Sequence, residues 1–146
     1  MVPRNRKAIS WMQNELSERL LDFAVSIIKL ATQIDKTAEG YHIGLQLIRS
    51  ASSAGANYKK FRKAKFVSRI KPCFIPDEEA CGAESRADFI HKLQIVLKEL
   101  RESIYWLRLV KKADLASDAD IKLQLKEAKE LSNIIGKSII TAKKQT

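Results

Sequence analysis

A chain of 146 residues is long enough for one domain, which can bury about 70% of its unfolded surface. Hydrophobic residues make up 45% and charged residues 30%, so a disordered chain and a bulk membrane protein are excluded. Five Gly and three Pro leave little turn chemistry for an all-β fold, and the net charge of +10 favours polyanions such as nucleic acid or anionic lipid as partners.

The first helix is predicted from an apolar stripe with alternating spacings of four and three residues, which places its members on one helical face. The stripe consists of Leu16, Leu20, Phe23, Ile27, Leu30 and Ile34. The stretch from Lys36 to Gly40 is expected to stop this helix, with Gly40 at its C-terminal position.

The second helix, roughly Tyr41 to Tyr58, changes character along its length. Its first half carries large apolar residues such as Leu47, whereas every residue from Ser50 to Ala56 is small. Small side chains allow a neighbouring backbone to approach closely. This stretch is therefore interpreted as a tightly packed helix rather than a linker.

The third helix has the strongest pattern, a heptad repeat with one polar interruption at Ser103. The repeat consists of Phe89, Leu93, Val96, Leu100, Leu107 and Val110. Beside it, Ile90, Leu97 and Ile104 recur every seven residues and widen the apolar stripe. A widened stripe indicates burial against a second surface, so these three residues are predicted to form an oligomer interface. Ser85, with Asp88 three residues later, predicts a capping box at the start of the helix.

The fourth helix is predicted to begin in the same way, at Ser117 and Asp120. Its apolar positions are Ile121, Leu125, Ala128, Leu131, Ile135 and Ile139. Helices joined by short loops pack as antiparallel neighbours. The sequence therefore predicts an all-α, antiparallel up-and-down four-helix bundle that forms a single domain over residues 1–146.

Three stretches resemble a known family. They are EACGAESRADFIHKLQIVLKELRESIYWLRLV from Glu79 to Val110, LLDFAVSIIKL from Leu20, and QLIRSASSAGANY ending at Tyr58. They resemble the four-helix bundle proteins encoded by intervening sequences of bacterial 23S rRNA genes, over roughly Leu20 to Leu115. The resemblance implies a ring-like homopentamer. It also implies kinship with the accessory variability protein of diversity-generating retroelements, a basic pentamer that associates with reverse transcriptase and nucleic acid. For the intervening-sequence branch itself it implies no biochemical activity.

The chain departs from the family pattern between Tyr58 and Glu78. In the family, ANY runs almost directly into EEACGAESRADF, whereas here Lys59 to Asp77 separate them. This basic insert carries +6 of the net charge, and its first half is compatible with an extension of helix two as far as Ile70. Pro72 and Pro76 exclude regular helix from the remainder.

The basic insert is the predicted nucleic-acid-binding site. Cations neutralise phosphates, and the interleaved Phe61 and Phe66 can stack on unpaired bases. The predicted binding residues are Lys59, Lys60, Arg62, Lys63, Lys65, Arg69 and Lys71. An inert solvated extension and binding to an anionic lipid surface are the alternatives.

Other candidate sites have simpler structural interpretations. Asp88 and His91 are spaced for a shared metal, but an ordinary hydrogen-bonded pair or a subunit contact explains them as well. Tyr105 and Trp106 are interpreted as packing residues rather than stacking platforms. A ring of charge in an oligomer, or simply a solvated helix face, accounts for Arg49, Arg86, Lys92 and Arg101.

Two cysteines are too few for a disulfide framework, and no signal peptide pattern follows the basic N-terminal residues, so a cytoplasmic location is expected. Cys73 and Cys81 have no further ligands at zinc-site spacing, so we expect free thiols and no metal or cofactor. The sequence contains no Gly-rich phosphate loop and no nucleophile elbow, and we expect no enzymatic activity. Two functions remain: an oligomeric nucleic-acid-binding accessory protein, for RNA or DNA, and a self-assembling scaffold or adaptor that binds a protein partner.

Overall fold

The computed structural model describes residues 6–63 and 83–144, with side chains described within residues 14–59 and 86–144. This part of the chain forms four long helices: α1 (Arg6–Gln33), α2 (Ala38–Lys63), α3 (Ala83–Lys112) and α4 (Asp118–Lys144). Contacts join α1 to α2, α2 to α3, α3 to α4 and α4 back to α1. In the described bundle α1 and α3 therefore lie on one diagonal. The predicted all-α, up-and-down four-helix bundle is confirmed.

The predicted apolar stripes form the core. Leu20, Ile27, Leu100, Leu107 and Leu131 are fully buried. Burial of one such side chain stabilises the fold by about 1.5–3 kcal/mol. Other predicted core residues only line the edge of the core, where they are partly buried: Leu16, Phe89 and Leu125.

The run of small residues in α2 packs as predicted. Ser50, Ala51 and Ala54 have no exposed surface. A Cβ placed on Gly55 would lie 3.6 Å from the carbonyl oxygen of Leu20, so the backbones of α1 and α2 approach closely here. Small side chains thus allow these two helices to pack with little space between them.

The turn between α1 and α2 differs from the prediction. α1 ends at Gln33, and Gly40 lies in the first turn of α2. Thr37 caps this helix, because its Oγ1 accepts a hydrogen bond from the backbone N–H of Gly40 at 3.0 Å. The prediction that Gly40 closes α1 is wrong. Glycine is needed there because a Cβ would overlap the carbonyl oxygen of Asp35.

The two short turns are linked to each other at one end of the bundle. The backbone N–H of Asp35 donates a hydrogen bond to the carbonyl of Leu115 at 3.3 Å. The second turn begins with a Schellman motif. The N–H of Leu115 donates a hydrogen bond to the carbonyl of Val110, and the N–H of Asp114 donates one to the carbonyl of Lys111. Asp114 has a φ of 55°, the left-handed conformation that this motif requires.

Three of the predicted helix boundaries have different outcomes. α4 begins at Asp118, directly after Ser117, as predicted. α3 already includes Ala83 and Glu84, so Ser85 lies inside the helix and the predicted capping box is wrong. α2 continues past Tyr58 to Lys63, which confirms that the basic insert starts as an extension of this helix. The rest of the insert lies outside the described residues.

Candidate nucleic-acid interface

The structure places only the beginning of the predicted binding site. Lys59 is exposed on α2, and the backbone of Lys60, Arg62 and Lys63 continues the helix. Outside the described residues lie Lys65, Arg69, Lys71 and the two cysteines, Cys73 and Cys81. The role of the basic insert in nucleic-acid binding therefore stays a prediction.

A second group of cations lies along the outward side of α3. Exposed residues recur at spacings of three and four, on the side of the helix opposite the core. We call this group the α3 basic face; it consists of Lys98, Arg101, Tyr105, Arg108 and Lys112. The face contains four cations and no acid. Its ends are about 21 Å apart at 1.5 Å per residue.

Two acids of α3 whose side chains are described, Asp88 and Glu102, lie off this face. Asp88 forms an ion pair with Lys92 at 2.8 Å, one turn apart. Glu102 lies on a half-buried flank of the helix, where its Oε1 accepts a hydrogen bond from the Trp106 Nε1 at 3.4 Å. Cations and acids that alternate in the sequence are therefore separated on the helix surface. The result is a positive potential on the outward side of α3.

Tyr105 of the α3 basic face belongs to a row of three aromatic rings. The ring centroids of Tyr105 and Trp106 are 5.1 Å apart with an interplanar angle of 78°, and Trp106 meets His42 of α2 at 6.3 Å and 81°. Trp106 is half-buried and packs on the core, whereas Tyr105 is 60% exposed. The interpretation of both residues as packing residues therefore fits Trp106 but not Tyr105.

The diagonally opposite helix, α1, has a different surface. Leu21, Val25 and Ile28 are 52%, 42% and 45% exposed and follow a spacing of four and three. We call these residues the α1 apolar stripe. The exposed charges beside it are mixed and include Glu18, Asp22 and Lys29. The bundle thus has an apolar corner diagonal to its basic corner.

This stripe was not predicted from the sequence, although a signal for it was present. Leu21, Val25 and Ile28 each directly follow a core residue of α1, so the apolar stripe of α1 was wider than one helix contact requires. The predicted oligomer interface lies on α3 instead. There Leu97 is 9% exposed, and Ile90 and Ile104 are partly buried against the core. Much of the apolar surface of these three α3 residues is thus used within the bundle, and their role in an oligomer interface stays a prediction.

An ion-pair network joins α1 to α4. Arg19 donates to both carboxylate oxygens of Glu127, at 3.0 and 2.8 Å, and to Glu130 at 3.1 Å. The hydrogen bond to Glu127 raises the pKa of the Arg19 guanidinium above its ordinary value. Arg19 offsets part of the negative charge of these two acids. The lysines on the outward side of α4 therefore add to the positive surface of the bundle. They include Lys126, Lys129, Lys137 and Lys144, all of which are exposed.

The described residues contain no group of three or more His, Cys, Asp or Glu side chains that would hold a metal ion. Asp88 pairs with Lys92, and His91 is exposed on the outward side of α3. Among the helices of the described part, none is both long and apolar enough to cross a membrane.

The fold and this surface define a four-helix bundle with a basic outward face and without a metal-ligand cluster among its described side chains. The model of the family described as 23S rRNA-intervening sequence protein matches residues 78–137, which include α3 and most of α4. This match confirms the resemblance to that family.

The chain is also similar to a crystal structure from Bacteroides thetaiotaomicron VPI-5482, a protein of unknown function from the S23 ribosomal protein family. The two are 25% identical over 84% of this chain and 90% of that chain, with a TM-score of 0.64. The comparison with curated proteins gives no match.

Proposed function

We propose that this protein is a non-catalytic, oligomeric nucleic-acid-binding protein that contacts phosphates through the α3 basic face and the basic insert. The observation that supports this proposal is the separation of charge on α3. Lys98, Arg101 and Arg108 follow one another at spacings of three and seven residues with no acid on the same face. Like charges one turn apart destabilise a helix by about 0.2–0.5 kcal/mol per pair, and bound phosphates reverse that repulsion.

The test is a salt titration of binding to generic RNA and DNA, followed by fluorescence anisotropy. The logarithm of the binding constant should fall linearly with the logarithm of salt concentration, because phosphate contacts release counterions. In the first variant, glutamine replaces the four cations of the α3 basic face. This variant should bind more weakly, with a salt slope that is smaller by about 3.

A matched control removes the same charge from another helix. It carries Lys126→Gln, Lys129→Gln, Lys137→Gln and Lys144→Gln on α4. If both variants lose affinity equally, net charge alone drives binding and the α3 basic face has no special role. No binding by the wild type at low salt would refute the function itself. A third variant, with glutamine at the seven cations of the basic insert, measures the contribution predicted from the sequence.

A self-assembling scaffold is the second candidate, and the α1 apolar stripe favours it. Three exposed apolar residues on one side of a helix form the kind of patch that mediates association. A homopentamer, which the family resemblance implies, is a ring of heterologous contacts whose rotation closes. The stripe should therefore pack against a different surface of the next copy.

Light scattering tests this assembly. We expect a particle of about five times 16.6 kDa at micromolar concentration, and Val25→Glu should dissociate it. Leu123→Glu is the control, because Leu123 is 63% exposed on α4, away from the stripe. A wild-type monomer, or an assembly that Val25→Glu leaves intact, would contradict the scaffold proposal. For such a scaffold the resemblance suggests a reverse transcriptase as protein partner, and its capture by the assembled protein is a second readout.

A further inference from the structure

We propose that Tyr105 is a base-stacking platform, and that the α3 basic face therefore binds unpaired nucleic acid in preference to a duplex. This inference rests on the proposed function and specifies the ligand of the same site. It starts from the position of the ring. Tyr105 is 60% exposed in the middle of a line of cations, with Arg101 one turn before it and Arg108 one turn after it.

The ring of Tyr105 is held in place from behind. Trp106 contacts it in a T-shaped geometry at a centroid distance of 5.1 Å. Trp106 is fixed in turn by the core, by the Glu102 carboxylate at 3.4 Å and by the ring of His42 at 6.3 Å. A ring that is already ordered loses little conformational entropy when a base stacks on it. Rigid support and a largely open surface together are what a stacking platform requires.

The charges around the ring select the chemistry of the ligand. Tyr and Arg are also common in protein–protein hot spots, so an exposed tyrosine alone would not distinguish a protein from a nucleic acid. Here every charged residue of the α3 basic face is a cation. A polyanion neutralises all four, and its repeating phosphates match a line of cations better than scattered acids on a protein surface do.

The exposed ring then distinguishes unpaired from paired bases. In a duplex the faces of the bases are stacked on one another, so a side chain on a flat helix surface meets only phosphates, sugars and base edges. A single strand presents the faces of its bases, and stacking on an aromatic side chain strengthens binding about 5- to 150-fold per base. The four cations act on both forms, whereas Tyr105 contributes only to binding of the single strand.

The experiment compares a 12-nucleotide single strand with a duplex of the same sequence, by anisotropy at fixed salt. The wild type should bind the single strand more tightly. Tyr105→Ala should weaken that binding at least about fivefold, and Tyr105→Phe should preserve it because the ring remains. Duplex affinity and the salt slope should not change, since no phosphate contact is lost. Tyr41→Ala is the matched control, because Tyr41 is 61% exposed on α2.

Each outcome has a separate meaning. If the wild type binds neither form, the proposed function fails and this inference fails with it. Equal binding of the two forms, with no effect of Tyr105→Ala, would refute the stacking role and leave phosphate binding intact. A Tyr105→Ala variant that changes the assembly mass in light scattering would instead show that Tyr105 lies in a contact between protein subunits, and would overturn the proposal.

Discussion

The hydroxyl groups of Ser50 and Ser103 meet at 2.8 Å across the interface of α2 and α3, and both residues are completely buried. Each hydroxyl also lies near a carbonyl of its own helix, that of Leu47 at 3.2 Å and that of Glu99 at 3.1 Å. The two hydroxyl protons can make two of these three hydrogen bonds at a time, and in each arrangement both hydroxyls have a partner. The pair meets only in one register of α2 against α3, so it favours that alignment of the helices.

A double-mutant cycle tests this pair. Ser50→Ala and Ser103→Ala should each lower the free energy of unfolding by about 1 kcal/mol. The double variant should lose less than the sum, by at least about 0.5 kcal/mol, because each single variant already removes the shared Ser50–Ser103 hydrogen bond. Urea denaturation measures all three variants, with Ser52→Ala, an exposed position on α2, as the control. Additive effects would show that the two hydroxyls do not interact.

The core assignment predicts a large cost for truncation of Leu100. This side chain is fully buried, and Leu100→Ala should lower the free energy of unfolding by about 2–5 kcal/mol through lost burial and the remaining cavity. Leu45→Ala is the matched control, since Leu45 is 66% exposed and should change stability by less than about 0.5 kcal/mol. A small effect at Leu100 would place the core side of α3 elsewhere.

Periodicity was enough to predict the core, because a buried stripe depends only on spacing along one helix. Ser103, which looked like an interruption of the α3 stripe, lies in the core because Ser50 supplies its partner. That pairing depends on the register of two helices, so the sequence of either helix alone does not predict it. The role of Gly40 was missed for a similar reason, since it depends on the carbonyl of Asp35 approaching from the turn.

The surface was harder to predict than the core. In sequence the basic insert stands out because its cations are clustered. On α3, Lys98 and Arg101 alternate with Glu99 and Glu102, and these charges separate only when the chain is wound into a helix. Arg101 and Glu102 are neighbours in the chain, yet one is exposed on the basic face and the other lies on the half-buried flank. Helical geometry could have revealed this separation if it had been applied to charges as well as to apolar residues.

Two glycines should respond to alanine in opposite directions. Gly136 lies within α4, and a Cβ there would meet nothing within 4 Å, so Gly136→Ala should stabilise the protein by about 1 kcal/mol through helix propensity. Gly40→Ala should destabilise it, because the added Cβ overlaps the Asp35 carbonyl and displaces the first turn of α2. Thermal unfolding of both variants checks the prediction. A stabilised Gly40→Ala protein would contradict the close approach of that carbonyl.

The start of α4 should lose an ionic contact in acid. Lys122 contacts Asp118 at 2.6 Å and Lys111 reaches it from α3 at 3.6 Å. The hydrogen bond from Lys122 is the largest cause that lowers the pKa of Asp118 below its ordinary value. A carboxylate whose pKa is depressed by folding stabilises the folded state above its ordinary pKa, and this contribution disappears as pH falls through the lowered value.

An NMR titration of the Asp118 carboxyl in the folded protein measures this effect directly. Lys122→Gln should raise the pKa of Asp118 back toward its ordinary value, because the variant removes both the charge and the ammonium hydrogen-bond donor. High salt should produce a similar but smaller change, since the pair is exposed to solvent and therefore screened. Lys126→Gln is the control, because it removes the same charge one turn further along α4 without touching Asp118. If the Asp118 titration is the same in the wild type and in Lys122→Gln, the contact at 2.6 Å does not persist in solution.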